Sequence, residues 1–372
     1  MLSMIKILPA LITLIITTIT TILPPALACT TFLMTNANNN TSGAFFGKDY
    51  DWHIGQGIIY INKRGVAKRA IVSKQISTAA KWNSRYGSLT FNQYGREFPN
   101  GGMNEKGLVV EIMVLDGSKF PSKIEFGESI NELQWIQYQL DNFSSVKQMI
   151  KQTNLLNIIP MYGSLHFLAC DRSRDCATFE YLNGKWTITS GEKLKVKTLA
   201  NSSYADSVTN LSRYVGFGGR GRIPNDSSSL SRFVRASHLA LQFKPTTTTT
   251  LDEAINYGFQ ILSSVALSNN KWQIIYDLDN LMVYFKSKKT NCNKTKYIDL
   301  KTFDMSCARP VLAHQLESTL SGNISSNFKS FNYQENRELI RSSLSQMPTL
   351  PIANPVAILS DLPQTFECNS LL

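Results

Sequence analysis

Residues 26–29, Ala-Leu-Ala-Cys, constrain this chain more than any other short run. A leader with Lys6 near its start and an apolar stretch over residues 7–23 is broken by Pro24-Pro25. Ala26-x-Ala28 then supplies the small residues that a signal peptidase requires. Cleavage after Ala28 makes Cys29 the first residue of the mature chain. The folded domain then starts at that residue, with a short strand over residues 30–34. An uncleaved membrane anchor is the alternative, but the stretch is short for a bilayer and is interrupted by Pro9 and several threonines. A lipoprotein signal also cleaves just before Cys. It favours Leu at the third position upstream, where this chain has Ala26.

A terminal cysteine carries a thiol and a free α-amine on one residue. The ordinary thiol pKa is about 8.5 and that of an α-amine about 7.7–8.0. The amine can therefore accept the thiol proton near neutral pH and later return it to a leaving amine. Attack on an amide would give a thioester that water hydrolyses. The chemistry points to an amide hydrolase.

The composition excludes several other classes. The chain has 372 residues, 43% hydrophobic and 17% charged, which is ordinary globular composition. The formal net charge of +11 comes from dispersed Lys and Arg with no basic block, so nucleic acid is not an expected partner. The six cysteines are 29, 170, 176, 292, 307 and 368, and export permits disulfides. Cys170 and Cys176 flank a polar turn between two strand-like runs, where a hairpin could be bridged. Cys292 and Cys307 lie near one another in sequence, and pairing them leaves Cys368 single. Sequence alone does not fix this pairing. No Cys-x2-Cys occurs and His53, His166, His238 and His314 are scattered, so no metal site is expected.

Strand-like segments fall at residues 30–34, 43–47, 57–62, 70–72 and 108–115. Helical periodicity follows over residues 129–140 and 144–153, with Ser144 and Ser145 as candidate caps. Strands return at residues 164–169, 177–181 and 185–189. Residues 231–243 and 251–265 read as helices. Residues 272–277 and 281–285 form a late hairpin around Asp279-Asn280. Strands, helices and strands again argue for an α+β layered domain rather than alternating βαβ units. One domain over residues 29–345 is the simplest division. Residues 346–372, with Pro348, Pro351, Pro355 and Pro363, read as an irregular surface tail.

Five motifs stand in order along this domain: Cys29-Thr30-Thr31-Phe32; Gly47-Lys48-x-x-Asp51-Trp52; Gly102-Met103-Asn104-Glu105-Lys106-Gly107-Leu108; Leu199-Ala200-Asn201-Ser202; and Ser231-Arg232-Phe233-Val234-Arg235. Together they resemble the choloylglycine hydrolase family of N-terminal-nucleophile hydrolases, which includes penicillin V acylases and bile salt hydrolases. The resemblance implies a four-layer αββα sandwich, no cofactor and no metal, a small-molecule N-acyl amide substrate, and a homo-oligomer, often a tetramer. It implies Cys29 as nucleophile and Asp51 as the acid that contacts the thiol and amine. Asn201 would be an oxyanion donor, and Arg232 a cation close to the nucleophile, with Arg235 one turn on as its competitor. A neutral amide such as Asn201 stabilises developing negative charge without adding a charge of its own.

Two departures bear on the substrate. Lys48 stands where the family often has Arg, and a point charge replaces a planar fork. Val114 stands near the position where bile salt hydrolases tend to have Asn and penicillin V acylases have Tyr or Trp. A backbone N–H would then be the second oxyanion donor. Trp52, after Asp51, resembles the Gram-negative branch, whose members include penicillin V acylases that also cleave acyl-homoserine lactones. An aromatic there suits a phenoxy or fatty acyl group, so Trp52, Lys48 and Val114 are the candidate substrate-binding residues. Asn104 and Glu105 are expected to hold a turn. The rival functions are a lipoprotein acylated on Cys29 and an inactive relative that binds an acyl ligand. The expected destination is the periplasm or the medium.

Overall fold

In the computed structural model, the described residues are 28–35, 43–72, 78–121, 127–288 and 294–369. The leader over residues 1–27 and Cys292 lie outside them. Two antiparallel-rich sheets lie at the centre. The first has seven strands, in the order Thr198–Leu199, Ala28–Thr35, Ala44–Asp51, Asn270–Asp277, Met282–Ser287, Lys296–Asp299 and Gly322–Asn323. The second has nine, running from Lys185–Ser190 through Cys176–Leu182, Leu165–Cys170, Val109–Val114, Pro99–Asn104, Ser88–Asn92, Ile58–Asn62 and Leu312–Gln315 to Lys329–Ser330.

The layering follows from strand alternation. Successive side chains on a strand point to opposite faces. On the first strand, Cys29 and Leu33 enter the core between the sheets with Phe46, Tyr50, Ile59, Leu89, Met113 and Leu168. Their neighbours Phe32 and Met34 face the other way. There they pack with Phe45 against helices Ser229–Gln242 and Leu251–Val265. On the outer face of the second sheet, helix Glu132–Asn142 brings Trp135 against Phe167 and Phe179. The stacking is thus helices, sheet, sheet, helices. Strands buried on both faces read as nearly continuous apolar runs, which is why residues 108–115 were legible as one.

Local signals end the elements. Asn131 accepts the backbone N–H of Leu133 and Gln134 and caps its helix, and Thr250 with Glu253 forms a reciprocal capping box. The turn over residues 104–107 is held as expected. Asn104 accepts from the N–H of Lys106 and Leu108 and donates to the carbonyls of Leu140 and Phe143.

Three sequence expectations change. Cys170 bonds to Cys176 across the hairpin as read, but Cys307 bonds to Cys368, not to Cys292. The tail is not irregular throughout. It contains helix Pro355–Asp361, buries Leu350, Leu359 and Leu362, and ends on a strand that pairs with Val66–Arg69. Pro355 and Pro363 sit at helix starts, where they fit without breaking the packing. The strand expected at residues 70–72 lies instead at Val66–Arg69. Helices Tyr204–Leu211 and Tyr333–Leu344 carry too thin an apolar stripe to stand out. The second buries Leu339 and Ile340 beside the small polar Asn336 and Ser343.

Candidate active site

Cys29 sits on the first strand, paired with Tyr50 on the second. It is buried, and it is a free thiol. Its backbone nitrogen donates to Asn201 Oδ1 at 2.8 Å, and its carbonyl accepts from Arg232 Nη1 at 2.8 Å. Arg232 also donates to Thr30 Oγ1 at 2.7 Å, to Asn201 Oδ1 at 2.8 Å and to the Ser227 carbonyl at 3.2 Å. This uses the guanidinium as a rigid fork. Only 1% of Arg232 is exposed. Arg235 turns away to the carbonyls of Ser264, Pro224 and Asp226.

Asn201 follows the short edge strand Thr198–Leu199, and its amide is oriented by its partners. Two donors meet Oδ1, while Nδ2 donates to the Val114 carbonyl at 2.8 Å. An amide nitrogen carries two hydrogens, so one Nδ2 hydrogen is left for another acceptor. The Asn201 N–H donates to Ser229 Oγ at 2.9 Å. The preceding Ala200 carbonyl meets His166 Nε2 at 2.7 Å, and His166 Nδ1 meets Glu180 at 3.0 Å. This buried support was not visible in the sequence.

The sheet places the remaining charges on two sides. Lys48 shares the face of Tyr50, inside the sandwich. It is 1% exposed, donates to the Ile112 carbonyl and pairs with Glu111 at 3.7 Å. Tyr276 donates to the same Glu111 at 2.6 Å. Lys48 is therefore behind the pocket wall. Asp51 points to the helix side by alternation. Its Oδ1 accepts the Leu267 N–H at 3.2 Å, and its Oδ2 is buried with no partner among the described residues. Asp49 lies two residues away on that same face and accepts from Asn270 at 2.7 Å and Gln273 at 3.0 Å. Burial raises both carboxyls. Asp49 goes up further because it also faces the Asp51 charge. The period of two could have drawn Asp49 from the sequence.

Burial also pushes the Cys29 thiol up. The Lys48 charge pulls it down, Asp51 and Asp49 push it up, and a hydrogen bond from the Asp51 backbone N–H lowers it. The net direction is up, so the resting group is a thiol rather than a thiolate.

A pocket opens at the thiol. Trp52 and Val114 line it with Tyr50, Tyr94, Tyr162 and Met347, while Lys48 does not. It joins two cores. Cys29, Tyr50 and Met113 belong to the core between the sheets. Leu133, Leu165, Tyr162 and Met347 belong to the core beneath the outer helices, and Trp52 packs against both. Among the described residues no group of three or more His, Cys, Asp or Glu could hold a metal ion.

This geometry meets known proteins at several points. The family model of linear amide C–N hydrolases, choloylglycine hydrolase family, matches residues 29–312. The penicillin V acylase of Pectobacterium atrosepticum is 24% identical over 292 residues, 67% of this chain and 77% of that protein. The bile salt hydrolase/transferase of Lactiplantibacillus plantarum is 25% identical over 267 residues, 64% of this chain and 78% of that protein. The solved penicillin V acylase of Agrobacterium tumefaciens superposes with a TM-score of 0.71 at 24% identity. The match covers 82% of this chain and 98% of that one. A conjugated bile acid hydrolase from Clostridium perfringens gives 0.61 at 21% identity, covering 79% and 98%. The four layers are thus the fold of N-terminal-nucleophile hydrolases.

Proposed function

The chain belongs to the linear amide C–N hydrolases of the choloylglycine hydrolase family, and on that premise we propose that it cleaves an N-acyl amide by attack of the Cys29 thiol. The observation that carries the reading is the shared network at the pocket mouth. The Cys29 nitrogen and Arg232 both donate to Asn201 Oδ1, and the thiol of the same cysteine lines the pocket.

As the chain stands, the Cys29 nitrogen is a peptide N–H joined to Ala28, which is buried in the strand. Export cleavage after Ala28 would turn it into an amine without moving it from Asn201. The Arg232 charge nearby disfavours its protonated form, while the Asp51 carboxylate favours it. A thiol held neutral by burial has to give up its proton as it attacks, and the amine is the base on the same residue. The acyl carbonyl then becomes an oxyanion, for which the spare Nδ2 hydrogen of Asn201 is a donor. The amine returns the proton to the leaving nitrogen, and water hydrolyses the thioester. The similarity to penicillin V acylases and the aromatic lining of the pocket favour an acyl group with apolar bulk.

The test is the intact mass of the protein from an export-competent host, followed by turnover of a panel of N-acyl amides. A mass beginning at unmodified Cys29, with turnover, is the expected result. A lipid-sized excess on Cys29, or a different terminus, removes the free amine and overturns the mechanism.

A further inference from the structure

The far end of the pocket holds a polar group that nothing among the described residues satisfies. Tyr162 lines the pocket, and its hydroxyl is buried with no partner among the described residues. The other hydroxyls nearby are engaged. Tyr50 donates to Gln93 at 2.7 Å and accepts from Asn100 at 3.0 Å. Tyr94 donates to Met347 Sδ at 3.5 Å. The Trp52 indole N–H approaches the Tyr94 hydroxyl without a well-formed hydrogen bond to it.

The orphaned hydroxyl does not sit on a loose loop. The N–H groups of Met161, Tyr162 and Gly163 all donate to the Glu132 carboxylate at the start of its helix. The ring lies against Tyr94, with centroids 4.9 Å apart. Burial and the neighbouring Glu132 and Tyr94 hold the phenol well above its ordinary range, so it keeps its proton and is a donor. A buried donor held in place without an acceptor is costly unless something that enters the site supplies one.

We propose that Tyr162 is a specificity-determining residue that donates to an acceptor oxygen carried within the acyl group, such as an ether, hydroxyl or oxo oxygen beyond the scissile carbonyl. Apolar contacts from Leu133, Leu165 and Met347 surround that end, so the preferred acyl group is apolar with one such oxygen. This rests on the amide-hydrolase reading above.

The experiment uses the mature protein and pairs of N-acyl amides of one amine, matched in chain length, with and without one chain oxygen. The wild type is expected to favour the oxygenated member about tenfold in kcat/KM, and Tyr162→Phe to erase that preference by slowing only that member. Moving the oxygen along the chain gives a test free of any variant. A maximum at one position supports the assignment, and a flat profile overturns it. A preference retained in Tyr162→Phe also overturns it. Turnover of neither member by the wild type sinks the amide-hydrolase reading itself, a result distinguishable from turnover without preference.

Discussion

The two ends of the pocket are built in opposite ways. At the thiol end, the contacts are made by sheet strands, by one helix and by the short segments at the helix start and after the edge strand. Arg232 has four partners and Asn201 is oriented by three. At the far end, helix Glu132–Asn142 and strand Leu165–Cys170 supply only Leu133 and Leu165, while Tyr162 comes from a turn and Met347 from a segment beyond the family-matched residues 29–312. Chemistry needs groups held close to one geometry, and fully paired networks on regular elements supply that. Recognition of an acyl chain needs only shape and a few polar contacts. Changes at the first end should therefore appear in kcat, and changes at the second in KM and in the choice of substrate.

The largest effect tests the first half of that contrast. Cys29→Ala should leave under about a thousandth of wild-type turnover, with the fold intact by circular dichroism, because Ala fits the strand. Next comes Asn201→Ala, expected to lower kcat by about 10²–10³ with little change in KM. Steady-state kinetics on one good substrate checks both. A loss confined to KM would show that Asn201 binds substrate rather than the oxyanion. Arg232→Lys should follow, at about 10–100-fold in kcat, because a point charge cannot serve four acceptors in fixed directions. It should also destabilise the protein by about 2–3 kcal/mol in urea melts, since buried carbonyls lose their donor.

The contrast also explains what could be read from the sequence. Cys29 and Asp51 sit in short motifs on strands, Asn201 just after one and Arg232 on a helix, so each could be picked out locally. The expected contact of Asp51 with the thiol could not, because its carboxylate faces the helix side and meets the Leu267 N–H. Helix Leu251–Val265 was legible to the residue through its apolar period. The supports were not legible. Glu111 beneath Lys48, and His166 with Glu180 beneath Ala200, meet only because the two sheets face one another. Tyr162 and Met347 reach the pocket through a turn and a proline-rich segment that has no period to follow. Lys48 was expected among the pocket residues because it stands where the family often has Arg. The register placed it inside, where Glu111 offsets it.

A carboxyl stands behind each end, and the pair can separate the two halves. Burial lifts Glu111 to about 7 despite the Lys48 charge, and lifts Glu132 to about 7 despite its three N–H donors. Both lie above the ordinary carboxyl value of about 4.3. Between those values the folded protein binds more protons than the unfolded chain, so each group makes stability fall as pH rises from about 4.3 to 7. Glu111→Gln and Glu132→Gln should each flatten part of that fall in melts across the window. They should differ in catalysis. Glu111→Gln leaves Lys48 unpaired near the thiol and should lower kcat several-fold. Glu132→Gln loosens the turn at residues 161–163 and should raise KM several-fold. Matching kinetic effects from the two variants would break the division between the ends.

The smallest effect belongs to Met347, and it is the sharpest test of the second half. Its thioether packs beside Tyr94, and the segment is anchored by His53, whose Nε2 meets the Gln346 carbonyl at 3.0 Å. Gln56 donates to Ser342 at 2.7 Å on the preceding helix. Truncation to Ala should lengthen the far end without touching the thiol. An added or missing methylene in an apolar pocket changes discrimination by about 1–3 kcal/mol. Met347→Ala should therefore move the preferred unbranched acyl chain to a longer member of a homologous series, while kcat for the shortest member stays within about twofold. Met347→Trp should move the preference the other way. If the chain-length profile holds still while kcat falls for every member, Met347 supports the thiol end after all, and the pocket works as one rigid unit.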